Sequence, residues 1–246
     1  MARTFWNDLK QIGAAVALVL VSRTVVAQPF YVPSGSMEPT LQIGDELLAS
    51  KFVYGYSRYS LPIDAGRSLP GRLFGHEPER GDVVVFRLPR DPEQVYVKRV
   101  VGLPGDRIQM RGGHLWINGT PLPLRADGAG QVELQDGRTM AADRFIETLP
   151  GGRQHAIFKL SARGPLDDTP VFEVPSGHLF MMGDNRDNSL DSRVSDTQGG
   201  VGFVPEENLI GRADLVVGSW DFLITRQPVS TWLSGLRLPR FLSRIS

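Results

Sequence analysis

The chain contains no cysteine. Disulfides, thiol nucleophiles and cysteine-ligated zinc or iron–sulfur clusters are therefore excluded, and the redox compartment is left open. Lysine is scarce: of 27 basic residues only Lys10, Lys51, Lys98 and Lys159 are lysines. Arginine keeps its proton in any protein site, whereas burial can make a lysine neutral, so each lysine here merits separate attention. An excess of charge is missing too. With 27 basic and 27 acidic residues there is no formal net charge and no basic footprint of the kind nucleic-acid binding requires. The histidines, His76, His114, His155 and His178, are scattered, form no His-Glu-X-X-His, and read as surface or hairpin residues. Gly-X-Ser-X-Gly, Ser-X-X-Lys and phosphate-binding glycine loops are all absent. Asp184–Asp191 has several oxygen side chains but lacks the glycine and glutamate of a calcium loop. Neither a metal nor a cofactor is expected.

What is present fits one folded domain, or one domain with an insertion, over 246 residues that are 41% hydrophobic and 22% charged. Arg3 and Lys10 precede Ile12–Val21, a run without a polar side chain. Extended to Ala27 this makes roughly 24 Å of helix, against a hydrocarbon core of about 30 Å. A start near Phe5–Trp6, with Arg23 snorkelling outward, lengthens it. Residues 1–28 thus read as a single membrane anchor. The same residues also suit a cleavable signal peptide ending at Val25–Ala27. Either reading puts the remaining chain across the membrane from the cytoplasm.

Beyond Ala27 the pattern changes to short β-rich runs: Asp45–Phe52, Asp82–Leu88, Val95–Gly102, Ile108–Met110, Leu115–Ile117, Val171–Val174, His178–Met182 and Arg212–Val217. Tight-turn pairs recur at Gly112–Gly113, Asn118–Gly119, Asp136–Gly137 and Gly151–Gly152. No helical period of useful length follows the first segment, so a mainly β body is expected. Tyr54–Arg80 reads as a loop-rich insertion and Arg111–Pro170 as a series of hairpins. The expected organisation is a β core over 29–110 and 171–221, an inserted β-rich subdomain over 111–170, and a tail over 222–246. That tail has four arginines and no acid, and Pro228 and Pro239 interrupt any helix in it. It reads either as a membrane-surface segment or as a frayed end.

Two short segments can carry chemistry. Pro33–Thr40 places Ser34 and Ser36 within a dozen residues of the membrane segment, although by composition it is simply a turn. Lys98 lies in Val95–Val101, sharing a strand face with Tyr96 and Val100. It reads either as a solvated tip on an edge strand or as a lysine held among apolar neighbours. Held so, its pKa falls, and lowering it from about 10.4 to about 8 costs roughly 3 kcal/mol, within reach of burial. A neutral lysine can take the proton of a serine hydroxyl.

Pro33–Leu41 (PSGSMEPTL), Arg80–Phe86 (RGDVVVF), Tyr96–Asp106 (YVKRVVGLPGD) and Gly183–Arg193 (GDNRDNSLDSR) with Gly202–Ala213 (GFVPEENLIGRA) resemble, in order, the motifs of bacterial type I signal peptidases. These stretches and their flanks cover about a third of the chain; the two insertions match by position only. The resemblance implies a signal-peptidase-like antiparallel β-sheet catalytic domain with one N-terminal transmembrane helix, held at the bacterial inner membrane with its catalytic domain outside the cytoplasm. It implies a Ser36 nucleophile with Lys98 as general base. It also implies an oxyanion hole from the Ser36 N–H and Ser34 hydroxyl, and Ser189 orienting the Lys98 amine. Asp184, Arg186, Asp191, Arg193 and Arg99 match positions that brace the site through ion pairs. Phe30, Val32, Met37, Leu41 and Val97 match the lining of shallow apolar pockets, which select small residues by excluding larger ones. The implied partners are signal-peptide-bearing preproteins, cut after Ala-X-Ala, and the lipid bilayer.

Two other readings stay open. One is a narrow-substrate processing peptidase with the same dyad. The other is a non-catalytic, membrane-tethered β domain that binds exported chains. A binding domain has no need of lysine rather than arginine at position 98, whereas a general base cannot be arginine.

Overall fold

The computed structural model describes residues 7, 10–13, 26–60, 71–134, 138–221 and 229–246. The expected membrane segment lies almost wholly outside the described residues, and among them no helix is long and apolar enough to cross a membrane. Ala27 and Gln28, at the end of that segment, already belong to the first strand, paired with Ser50 and Ala49. The body is mainly β and antiparallel, as expected. Among the described residues after Ala27, helical backbone occurs only as short 3₁₀ turns.

The strands are β1 (Ala27–Tyr31), β2 (Asp45–Ser50), β3 (Val83–Leu88), β4 (Asp91–Gly102), β5 (Arg107–Arg111), β6 (His114–Ile117), β7 (Thr120–Pro121), β8 (Leu124–Glu133), β9 (Thr139–Thr148), β10 (Gln154–Lys159), β11 (Phe172–Glu173), β12 (His178–Met182), β13 (Val204–Pro205), β14 (Leu209–Ser219) and β15 (Ser243–Arg244). The main sheet has the order β1-β2-β14-β3-β4-β12-β13, with β15 added to β14. β3 lies centrally and is apolar on both faces. Val83 and Val85 pack with Leu47, Ala49 and Val216, while Val84 and Phe86 pack with Val100, Leu179 and Met181. A strand buried on both sides needs such a continuous apolar run, so this one does not alternate with polar residues.

The turns follow from glycine and asparagine at positive φ. Gly112 and Gly113 (53° and 77°) join β5 to β6, and Asn118 and Gly119 (53° and 80°) join β6 to β7. Two successive positive φ values match the twist of a tight hairpin. The Asp136–Gly137 turn lies outside the described residues. β11, β5, β6 and β7 form a second sheet, and β10, β9 and β8 a third. The third sheet is tied to the segment after β12: Phe158 N donates to Asp184 O at 2.9 Å and Arg186 N to Phe158 O at 3.0 Å. The described part of the tail is docked rather than frayed. Arg240 Nε bonds Asp45 Oδ1 at 2.8 Å, Arg237 reaches the Ile43 carbonyl, and β15 pairs with Leu215 and Val216.

Candidate active site

Ser36 sits in the 3₁₀ turn Gly35–Met37, directly after β1 and an extended Ser34. Lys98 sits in β4 opposite Val84 of β3. Folding closes 62 positions of sequence to a contact of 2.6 Å between Lys98 Nζ and Ser36 Oγ, and Nζ also donates to the Val97 carbonyl at 3.0 Å. Ser34 Oγ lies 3.4 Å from Ser36 Oγ.

Lys98 is only 3% exposed. Burial pulls its pKa from 10.5 down to about 8; Asp191 and Asp184 oppose the shift, and Arg193 adds to it. Among the described residues no carboxylate forms a salt bridge with it. Lys159, also buried, differs in having the carboxylates of Asp167 and Asp187 as partners. Lys51 donates to the Ser60 carbonyl at 2.8 Å. Of these buried lysines, Lys98 is therefore the one whose amine faces a serine hydroxyl.

Around the pair stands a lattice of buried ions. Arg99 grips Asp184 with two bonds of 2.8 and 2.7 Å, and Arg193 grips Asp191 with two of 2.8 Å. Arg186 grips Glu147 of β9 at 2.8 and 2.6 Å. Burial pushes each of the three carboxyls up, but the facing guanidinium outweighs it and leaves the pKa lowered. His155 of β10 lies between two of these pairs, 3.5 Å from Glu147 and 3.8 Å from Asp184. Burial and then Arg99 hold its pKa down to about 4, so the ring is neutral at physiological pH. Of the surface or hairpin placement expected of His155, the hairpin holds and the surface is corrected: it is on a hairpin strand, but buried against the ion lattice.

A cleft of about 840 Å³ opens over Ser36 and Lys98. Phe30, Val97, Ser34 and Ser189 line it. Val32, Met37 and Leu41 do not; they are buried in the core that also packs Phe30 and Val97. Ser189 Oγ is buried without a hydrogen-bond partner among the described residues. Its approach needs glycine at 183, where a Cβ would stand 2.2 Å from Ser189 Oγ and 2.5 Å from the Ser36 carbonyl. Glu133, Leu134, Pro165 and Leu166, from the stretch expected to be an insertion, also border the cleft. Sequence reading did not single out Glu147 or Asn185. Asn185 stood unassigned inside the Gly183–Arg193 motif, and nothing local marks Glu147. Among the described residues no cluster of three His, Asp or Glu side chains is arranged to hold a metal.

The architecture is that of a mainly β body in which a buried lysine amine meets a serine hydroxyl at a cleft. The family model described as signal peptidase, peptidase S26, matches residues 5–220. A signal peptidase I of Rickettsia typhi is 37% identical over 262 residues, spanning 99% of this chain and 95% of that protein. One of Rickettsia canadensis is 37% identical over 257 residues, spanning 97% and 92%. A solved signal peptidase I of Enterococcus faecalis V583 is 26% identical, covering 56% of this chain and 97% of its own, with a TM-score of 0.32. The chain belongs to the signal peptidase, peptidase S26 family, and is a serine peptidase.

Proposed function

We propose that this chain is a membrane-anchored endopeptidase that removes N-terminal signal peptides from exported preproteins after small residues. Ser36 is its nucleophile and Lys98 its general base. The observation that carries the reading is the 2.6 Å contact between a serine hydroxyl and a buried lysine amine that has no carboxylate salt-bridge partner among the described residues. Neutral Lys98 takes the Ser36 proton as Oγ attacks the scissile carbonyl carbon. The resulting oxyanion is held by the Ser36 N–H and the Ser34 hydroxyl. The Lys98 ammonium then returns its proton to the leaving amine, and the peptide bond breaks. In the second half Lys98 accepts a proton from water, whose oxygen attacks the acyl carbon, and the ammonium then gives that proton to Ser36 Oγ as the ester bond breaks. Ser189, which lines the same cleft, orients the Lys98 amine.

On this reading 29–110 and 171–221 form the catalytic core, 111–170 an inserted subdomain, and 1–28 the single-pass anchor at the inner membrane, with catalysis outside the cytoplasm. Among the described residues β12 joins β4 only from Arg99 onward, so the edge beside Val95–Lys98 is open opposite β3. An extended substrate can add a strand there and gain main-chain hydrogen bonds. Phe30 and Val97 at the cleft supply the apolar surface for small side chains, and Val32, Met37 and Leu41 pack behind them in the core.

The test compares wild type, Ser36→Ala and Lys98→Arg on a preprotein with alanine at −1 and −3, reading product N-termini by mass spectrometry. Only wild type should cut after the −1 alanine. Equal cutting by either variant overturns the dyad.

A further inference from the structure

Asn185 is fully buried, and both its side chain and its backbone are turned on the nucleophile turn. Its Nδ2 donates to the Gly35 carbonyl at 3.0 Å, and its backbone N–H donates to the Ser36 carbonyl at 3.2 Å. Because a carbonyl can only accept, the amide nitrogen must face Gly35. The remaining side-chain atom, Oδ1, is buried without a hydrogen-bond partner among the described residues. Leaving a buried acceptor unpaired costs stability. The residue is therefore kept in this place at some cost to the fold, which fits a role in the reaction.

The geometry of the peptide unit supplies that role. The Gly35 carbonyl and the Ser36 N–H belong to one planar trans unit and point in opposite directions. A bond that holds the carbonyl toward Asn185 therefore holds the N–H away from it. Gly35 and Ser36 also line the cleft. The Gly35 carbonyl takes a second bond from Glu38 N at 3.2 Å, so the plane is held by two donors. Asn185 is itself pinned on both sides. Asp184 is locked to Arg99 and Arg186 to Glu147, while Phe158 of β10 bridges the backbone across it.

We infer that Asn185 is a positioning residue that aims the Ser36 N–H at the reacting carbonyl oxygen, and that the two flanking ion pairs act on the reaction by holding Asn185 in place. This rests on the proposed serine–lysine chemistry. Asn185 touches no substrate atom. Its effect passes through the peptide plane of Gly35 and Ser36, and the stabilisation it secures exists only once the carbonyl oxygen carries charge.

The experiment uses the full chain with Asn185→Ala and Asn185→Asp, the second keeping the shape while turning the donor into an acceptor. Three quantities are read: kcat and KM on a preprotein with alanine at −1 and −3, the midpoint of the pH–rate profile, and the affinity for a peptide boronate ending in alanine. A boronate bound to Ser36 Oγ places an oxygen where the oxyanion forms. Both variants should lose about 10²-fold in kcat, with KM and the pH midpoint unmoved and boronate affinity falling by the same factor as kcat/KM. Unchanged kcat overturns the inference, as does a loss carried by KM alone. A displaced pH midpoint also overturns it, because Asn185 would then act on Lys98. If neither variant folds, Asn185 is a stability residue and the inference falls. A wild type that neither cuts nor binds boronate overturns the proposed function as well.

Discussion

Lys98 and Arg99 are neighbours in β4 yet end on different partners: Lys98 on the Ser36 hydroxyl at 2.6 Å, Arg99 on both oxygens of Asp184 at 2.8 and 2.7 Å. Alternation along a strand separates consecutive side chains, and here it separates two kinds of cation. The guanidinium cannot lose its proton, so once buried it needs a carboxylate, and its planar fork fits one. The amine has no such partner among the described residues and gives up hydration, which makes it titratable near neutrality. Exchanging the two would ruin both: an arginine at 98 offers no base, and a lysine at 99 cannot make the two-bond grip.

Turnover should therefore rise with pH up to about 8, the value to which burial pulls Lys98, and level off above it. Below that point each pH unit should cost about tenfold in rate. The check is kcat/KM across about pH 6 to 9 on a preprotein substrate, and a flat profile would count against a lysine base. The same shift affects stability. The folded state binds the Lys98 proton less tightly than the unfolded chain, so stability is lost as pH falls through about 8. Lys98→Met should be inactive but about 3 kcal/mol more stable than wild type at acidic pH, by denaturant unfolding.

Glu38 predicts the opposite sign. Burial, and then the charge of Glu133, raise its carboxyl from 4.5 to about 7, with a backbone bond from Glu133 opposing. The folded state thus holds this proton more tightly than the unfolded chain. The contribution is complete below about 4.5 and is lost as pH rises through about 7. Glu38→Gln should remove that loss, so its thermal midpoint relative to wild type should climb from pH 5 to pH 8. A constant difference between the two proteins would refute this.

Gly183→Ala should be costly out of proportion to one methyl group. The new Cβ would meet Ser189 Oγ at 2.2 Å, Ser189 Cβ at 2.4 Å and the Ser36 carbonyl at 2.5 Å. Overpacking of this kind typically costs 1–3 kcal/mol, about the range expected in unfolding experiments. Because the displaced atoms flank Ser36, kcat should fall as well. Full activity in a stable Gly183→Ala would show that the site tolerates the shift.

Arg186→Ala strands the Glu147 carboxylate by removing the guanidinium fork that grips it, and should cost about 3–5 kcal/mol in equilibrium unfolding. The double replacement Arg186→Met, Glu147→Leu should recover most of that loss, since it removes both charges together. A double variant no more stable than Arg186→Ala would mean that the pair contributes more than mutual neutralisation.

Much of the fold was legible in the sequence because it is local. The runs at Asp45–Phe52, Asp82–Leu88 and His178–Met182 became β2, β3 and β12, and the Gly112–Gly113 and Asn118–Gly119 pairs became hairpin turns. β4 is longer than its apolar run and begins at Asp91. Pro92 is tolerated there because the register with β3 shifts between Arg87–Val95 and Leu88–Asp91, so Pro92 falls in the irregularity and has no ladder partner to bond among the described residues. The long strands β8 and β9 were readable only as unspecified hairpins, since few of their positions are buried and their polar residues leave little alternation.

The chain by itself determined the inventory: no thiol, four lysines, a serine turn just beyond β1, and a lysine in an apolar strand. These are properties of residue type and short-range spacing, which sequence states directly. Only the tertiary structure decided what each residue meets. It sent Val32, Met37 and Leu41 into the core beneath the cleft and left Ser189 Oγ unbonded. It also brought Glu147 and His155 from the third sheet against Arg186 and Asp184. Those outcomes depend on how separate sheets dock across 30 to 150 positions of chain, roughly the reach of the Glu147–Arg186 and Gly35–Asn185 contacts. No local period encodes such docking; it is set by which buried charges and apolar faces can be satisfied at once.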